Sequence, residues 1–253
     1  MKNFFYQVNV NYKRIVWRNK RFFFFSLALP VIFYLLFTKV MNVGVPANVM
    51  KEWQLNELVQ MAIYSSLISS VIVVSNTLLE DREHHFTLFV RLTNNSYTRY
   101  YAGMLAVFLP LTILAVVVLG LVGILVNGVS ASTVLWLSFI ILLPLLSIPL
   151  VLMGMLISLA SAANLVNLLN QITMFFMAIV SGLWWPIDML PSWLQTIGKI
   201  LPTYQISTII TEVMNKKAVE LGNFIGLLLW TIFLFGALLV AFKFIRRREM
   251  QVI

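Results

Sequence analysis

The chain of 253 residues is 60% hydrophobic and 11% charged, against about 45–50% and 25% in an average soluble domain. From Tyr100 to Ile187 it has no Asp, Glu, Lys or Arg, which excludes a water-soluble core and leaves lipid as the solvent. The net charge of +9 sits largely in basic residues at the ends of hydrophobic segments, an orientation signal rather than a nucleic-acid surface; the absence of cysteine excludes disulfides, thiolate metal sites and a cysteine nucleophile.

Residues 1–21 come first. Placed on a helix, Phe4, Phe5, Val8, Tyr12, Ile15 and Val16 share an arc about 120° wide, with Lys13, Arg14, Arg18, Lys20 and Arg21 outside it. That pattern predicts an amphipathic interfacial helix lying in the headgroup layer. A helix needs about 20 apolar residues to cross roughly 30 Å of hydrocarbon, and six stretches qualify: about 22–40, 58–79, 104–126, 133–157, 165–185 and 221–242. No A-x-A cleavage pattern follows Phe37, so the first stretch is expected to be retained. In the second span Ser65 and Ser69, like Ser66 and Ser70, repeat small polar residues four apart. Asn127, Gly128, Val129 and Ser130 leave only a turn between the third and fourth spans, which predicts a tight antiparallel hairpin. At the start of the fifth span Asn164, Asn167 and Gln171 share a face. That stripe and the serines are expected against protein or a transport path rather than lipid. Residues 187–205 then carry Leu190, Trp193, Leu194, Ile197, Ile200 and Leu201 at helical spacing, among Pro186, Pro191 and Pro202. Short helices are expected there before the last span, interfacial or re-entrant.

Basic residues resist translocation, so their distribution orients the spans. Thirteen lie on one side: Lys2 to Arg21 before the first span, Arg82, Arg91 and Arg99 after the second, and Lys243 and Arg246–Arg248 after the sixth. Five lie on the other, at Lys39, Lys51, Lys199, Lys216 and Lys217. Both termini are therefore expected in the cytoplasm.

The chemistry of an enzyme is not visible. His84 and His85, the only histidines, are adjacent in a loop and make no metal or Ser-His site. The six predicted spans hold no carboxylate, which disfavours an ion-coupled carrier. The only Gly-Lys pair, Gly198-Lys199, has Trp193 where a phosphate-cradling loop needs glycine and Ile200 where it needs a hydroxyl. No nucleotide or other cofactor is expected on this chain.

Three runs carry a resemblance: Ser181-Gly182-Leu183-Trp184-Trp185-Pro186, Leu190-Pro191-Ser192-Trp193-Leu194 and Leu201-Pro202-Thr203-Tyr204. With the layout of the spans they resemble the signature region of the ABC type-2 permeases, the membrane subunits of drug, antibiotic, polysaccharide and lipid exporters. In that likeness Ser181, Gly182, Pro186, Pro191, Trp193, Pro202 and Tyr204 are the signature positions. The loop from Glu80-Asp81-Arg82-Glu83 through Leu88, Leu92 and Arg99 to Gly103 is similar to the family's acidic start, helix and Arg-to-Gly ending. It departs at His84-His85, near an expected glycine, at Asn94-Asn95, near an expected proline, and at Met104, where a lysine often stands.

The resemblance implies an all-α integral membrane protein with 1–253 as one six-span permease domain. It implies a second permease, the same or different, and cytosolic ABC ATPase subunits that carry the ATP and Mg. Export would run across a bacterial cell membrane, with the loop after the second span transmitting the ATPase's movement. Phe86, Phe89 and Val90 fall at i, i+3 and i+4 on a short helix suited to a groove in the ATPase, with Arg82 and Arg91 at its rim and Glu80 at its start. No ring of charge lines a span, while Phe175, Phe176, Trp184 and Trp185 suit a hydrophobic or amphiphilic cargo: a drug, an antimicrobial peptide or a lipid-like compound. For the two tryptophans an interfacial belt is the expected place. A secondary carrier or channel, and a scaffold or sensor without transport, are the alternatives; co-purification with an ATPase separates them from the exporter.

Overall fold

The computed structural model of the protein describes residues 12, 24–42, 45–84 and 97–250. The predicted helix over 1–21 lies outside them, except Tyr12, and so do Phe86, Phe89, Val90 and Arg91 of the predicted coupling loop. The described residues are helical and contain no strand. Helix α1 covers 24–40, with a regular turn set at Leu29–Leu35 between wider i→i+5 turns at Phe24–Ala28 and Leu36–Val40. Then come α2 (Met50–Glu83), α3 (Tyr97–Asn127), α4 (Thr133–Leu146), α5 (Ile148–Ile157), α6 (Ala163–Val180), α7 (Ser192–Ile200), α8 (Pro202–Met214) and α9 (Leu221–Met250).

Five helical stretches are long and apolar enough to cross a membrane: α2, Tyr100–Asn127 of α3, Thr133–Ile157 through α4 and α5, α6, and Leu221–Lys243 of α9. The first predicted span corresponds to a shorter apolar helix, Ser26–Val40. Ser147 interrupts the fourth span; Pro149 lacks the N–H that a continuous helix would use there.

Three elements differ from the sequence reading. The second span begins at Met50 rather than Leu58, because Asn56 and Gln60 find partners in the bundle and the helix need not end where hydropathy falls. The fifth stops at Val180 rather than Trp185, since Gly182 at φ +81° turns the chain. The segment before the last span does not end at Gln205 but includes α8, a helix through Met214.

Helix α2 is the axis of the bundle. Its most apolar window is 89% buried, against 17% for that of α9, so α2 is a core helix and α9 presents its flanks to lipid. Helices α1, α3, α5, α6 and α8 all pack on α2. The bundle has a hairpin end, at the 128–132 turn, and a loop end, where α2 stops at Glu83 and α3 begins at Tyr97. A large cluster around Tyr34, Leu58, Tyr64, Phe139 and Ile206 fills the hairpin half. A second, around Leu78, Tyr100, Met104, Phe108 and Leu234, fills the loop half, and Tyr12 packs on it.

Midway along α2 the turn widens over Ile68–Val73. Helix α5 lies directly against it: a Cβ at Gly154 would collide with the Ser70 carbonyl oxygen and press on the Val71 backbone. Only glycine allows this approach. Gly154→Ala is expected to destabilise the detergent-solubilised protein by about 1–3 kcal/mol, the usual cost of overpacking. Gly236→Ala, in open space on α9, is expected to lose nothing in the same thermal-unfolding measurement.

Candidate functional site

The polar start of α2 and the helix missed by the sequence reading belong to one site. In α8, Tyr204, Ser207, Thr208, Thr211 and Glu212 recur at i, i+3, i+4, i+7 and i+8, one polar stripe, while Ile206, Ile209 and Ile210 are buried in the bundle. Ser207 Oγ donates to Gln60 Oε1 of α2 at 2.9 Å, and Asn215 Nδ2 donates to Asn56 Oδ1 at 3.3 Å. On the opposite side of α2's start, Tyr34 OH donates to the Gln54 carbonyl at 3.4 Å.

Between α2, the turn after α6 and α8 lies a cavity of about 310 Å³. Gln60 lines it from α2, and Ser181, Gly182, Pro186 and Ile187 from the turn. The α8 stripe closes another wall, and Asn215 and Lys217 stand at its edge. Thr211 Oγ1 is buried there without a hydrogen-bond partner. Gly182 permits the sharp turn: its φ is +81°, and a Cβ would sit 3.2 Å from both Ile187 Cβ and the Ile187 nitrogen.

Helices α7 and α8 form a hairpin that dips into the bundle. Its corner is fixed from α9, where Trp230 Nε1 donates to the Ile200 carbonyl at 2.8 Å. Trp230 lies nine residues past Leu221, so the corner sits roughly 13 Å down α9 from the hairpin end. Pro202, at the first position of α8, needs no partner for its nitrogen there. The other end of α8 closes by a turn in which Lys216 N donates to Val213 O at 3.1 Å and Lys217 N to Glu212 O at 2.8 Å. Lys216 occupies the left-handed position of this cap at φ +56°, a place that favours glycine or asparagine. The reversal brings Lys217 back beside Glu212 at the cavity.

The serine face of α2 is buried as a seam rather than a channel. Ser65 Oγ donates to the Ser26 carbonyl of α1, Ser66 Oγ to Ser147 Oγ at 2.7 Å in the α4–α5 break, and Ser69 Oγ to Ser65 O at 2.9 Å. Farther along, Ser75 Oγ donates to Asn170 Oδ1 at 2.8 Å, and Asn170 Nδ2 to Asn76 Oδ1 at 3.3 Å. These bonds tie α2 to α1, α5 and α6.

A family model for ABC-2 type transporters matches residues 6–215, most of the chain. The chain belongs to the ABC-2 type transporter family. It is also 25% identical over 237 residues to a Bacillus subtilis (strain 168) protein with the name "Putative transport permease YvfS", covering 94% of each chain. No solved structure matches.

In this ABC-2 permease the signature positions separate. Ser181, Gly182, Pro186 and Tyr204 converge on the cavity, and Pro202 is buried at the hairpin corner. Pro191, just before α7, and Trp193 on it are exposed and do not line the cavity. Trp184 is half-buried and meets Tyr64, Phe33, Phe175 and Trp185 at ring-centroid distances of 5.4 to 6.0 Å. On α6, Asn164, Asn167, Gln171, Phe175 and Phe176 are exposed on the single chain, and the buried amide is their neighbour Asn170. The sequence reading missed Asn170, Glu57 and the α8 stripe. Glu57 lies in the extension of α2 beyond the predicted span, and its Oε2 is buried without a hydrogen-bond partner; the helix does carry a carboxylate.

At the loop end the permease ties the stems of its 84–96 connection together. Tyr100 OH of α3 donates to the buried Asp81 carboxylate of α2. Arg82 Nη2 donates to the Ala160 carbonyl at 2.8 Å, in the link between α5 and α6, so its guanidinium is engaged inside the chain. Glu80 is exposed. Tyr100→Phe keeps the ring and removes the donor, and is expected to destabilise the protein by about 1–3 kcal/mol, read as a lower midpoint of thermal unfolding.

Proposed function

We propose that this permease is the membrane subunit of an ABC exporter, working as a dimer with cytosolic ATPase subunits that carry the ATP and Mg, and moving an amphiphilic compound outward. The observation that carries the reading is the exposed face of α6. Asn164, Asn167 and Gln171 stand there on a helix apolar and long enough to span a membrane. An amide left without a partner in hydrocarbon costs several kcal/mol, so something polar covers the stripe.

A second copy suits that role. Each amide both donates and accepts, so the same face on a two-fold-related copy is complementary to itself. Phe175 and Phe176 continue the exposed face toward the hairpin end, which gives the seam between two copies an amphiphilic lining for a drug, an antimicrobial peptide or a lipid-like molecule. The distribution of basic residues supports a cytoplasmic loop end and cytoplasmic termini, where the 84–96 connection would meet the ATPase. The bacterial relative accords with a bacterial cell membrane. Residues 1–253 serve as one permease domain.

Glu57 favours a second reading, an ion-coupled carrier, since carboxylates in spans serve coupling ions. Transport energised by ATP in vesicles without an ion gradient decides for the exporter; transport that needs the gradient and ignores ATP decides for the carrier.

Two outcomes follow for the exporter. An ATPase subunit co-purifies with the permease, and Phe89→Asp abolishes both association and substrate-stimulated hydrolysis at unchanged expression, because a carboxylate buried at that contact costs several kcal/mol. On this cysteine-free chain, Asn167→Cys forms an intermolecular disulfide in membranes under mild oxidation, whereas Leu137→Cys on the exposed face of α4 does not. Equal cross-linking at both positions would remove α6 from the dimer seam.

A further inference from the structure

The cavity at the hairpin end has a chemistry of its own. Its α8 wall offers three hydroxyls, of Ser207, Thr208 and Thr211, and α2 adds the Gln60 amide. Thr211 Oγ1 lacks a partner. At its edge stand one carboxylate, Glu212, and one ammonium, Lys217. The helix-closing turn brings the two residues together along the backbone, through the bond from Lys217 N to Glu212 O at 2.8 Å. Glu212 Oε2 also accepts from the Glu220 backbone N–H at 3.1 Å, which orients the carboxylate. Opposite charges at one rim, above neutral donors and acceptors, favour a ligand that carries both charges over one that carries a single charge.

Size narrows the class. At about 310 Å³ the cavity falls at the lower end of the roughly 300–1,000 Å³ that encloses a drug-sized ligand. It has room for a head and not for a tail. The apolar place for a tail is next to it: Ser181 and Gly182 line the cavity, and two residues on begins the aromatic group of Trp184, Trp185 and Phe175, of which Trp185 and Phe175 are exposed.

We infer that this cavity is a headgroup site for a zwitterionic amphiphile, its ammonium against Glu212, its phosphate or carboxylate against Lys217, and its remaining polar atoms on Ser207, Thr208, Thr211 and Gln60. The inference rests on the reading of the chain as an amphiphile transporter and names the head of that cargo. Lipid heads carry the pair as amine and phosphate, peptide ends as amine and carboxylate; the chemistry the site reads is the same.

The test uses the full-length cysteine-free permease in a neutral maltoside detergent. Thr208→Cys is labelled with a charged methanethiosulfonate reagent, and the rate is followed with added glycerophosphoethanolamine, glycylglycine, glycerol phosphate or ethanolamine. A saturating zwitterion is expected to slow labelling about tenfold by mass action, while the singly charged probes leave it unchanged. Glycerophosphoethanolamine protecting more than glycylglycine assigns the lipid-type head, and the reverse assigns the peptide type. Glu212→Gln together with Lys217→Gln abolishes protection, and Thr196→Cys, on the exposed side of α7, is not protected. Equal slowing by all four probes, slowing by none, or protection that survives loss of both charges overturns the inference. ATPase co-purification is read separately, so a failed headgroup site leaves the exporter reading standing, and a missing ATPase leaves the headgroup result intact.

Discussion

Everything in this fold depends on one constraint: in a medium without water, a polar group on a spanning helix must find its partner inside the protein. Helix α2 meets it in three stretches, with Glu57 Oε2 and Ser70 Oγ as exceptions. Its start is satisfied by α8 through Gln60 and Asn56, its middle by serine bonds to α1 and to the α4–α5 break, and its far end by Asn170 and Tyr100. The helix therefore needs neighbours on every side, and the remaining helices are arranged by that need. Bonds of this kind contribute about 0.6–2 kcal/mol each in a bilayer, modest singly, but their positions fix which helices touch and in which register.

The same constraint explains what the sequence made legible. Hydropathy is a sum over a window, so the spans at 104–126, 133–157 and 221–242 were visible because lipid sees them. It fails where polar residues are covered by protein. Met50 to Glu57 looked like a connecting loop because Lys51, Glu52, Gln54, Asn56 and Glu57 lower the average, yet the helix runs through them, with Lys51 and Glu52 exposed and Gln54 buried. Helix α8 was invisible for the same reason, although the spacing of Tyr204, Ser207, Thr208 and Thr211 against Ile206, Ile209 and Ile210 carries a helical period that a search for polar stripes would have found. In α6, period alone grouped Asn164, Asn167 and Gln171, but only packing distinguishes their exposed face from the one that turns Asn170 inward. The left-handed turn at Lys216 had no signal, since lysine gives no warning of a positive φ.

The signature positions illustrate the difference between recognising a motif and understanding it. Spaced along the sequence they read as prolines and small residues before a last span. Folded, they do three jobs: Gly182 turns the chain, Pro202 starts α8 where a backbone N–H would have no partner, and Ser181, Pro186 and Tyr204 become wall. Trp193, the most conspicuous residue of the run, reaches none of these and points away from the bundle.

The wide turn at Ile68–Val73 bears on how the two ends of α2 communicate. It houses an extra residue, so the helix carries a phase offset between Gln60 at the cavity and Asp81 at the loop. Regularising the turn with every residue kept would rotate one end against the other by up to about 100° and lengthen the span by about 1.5 Å. Helix α2 thus carries its phase offset in its middle, where Gly154 lies against it.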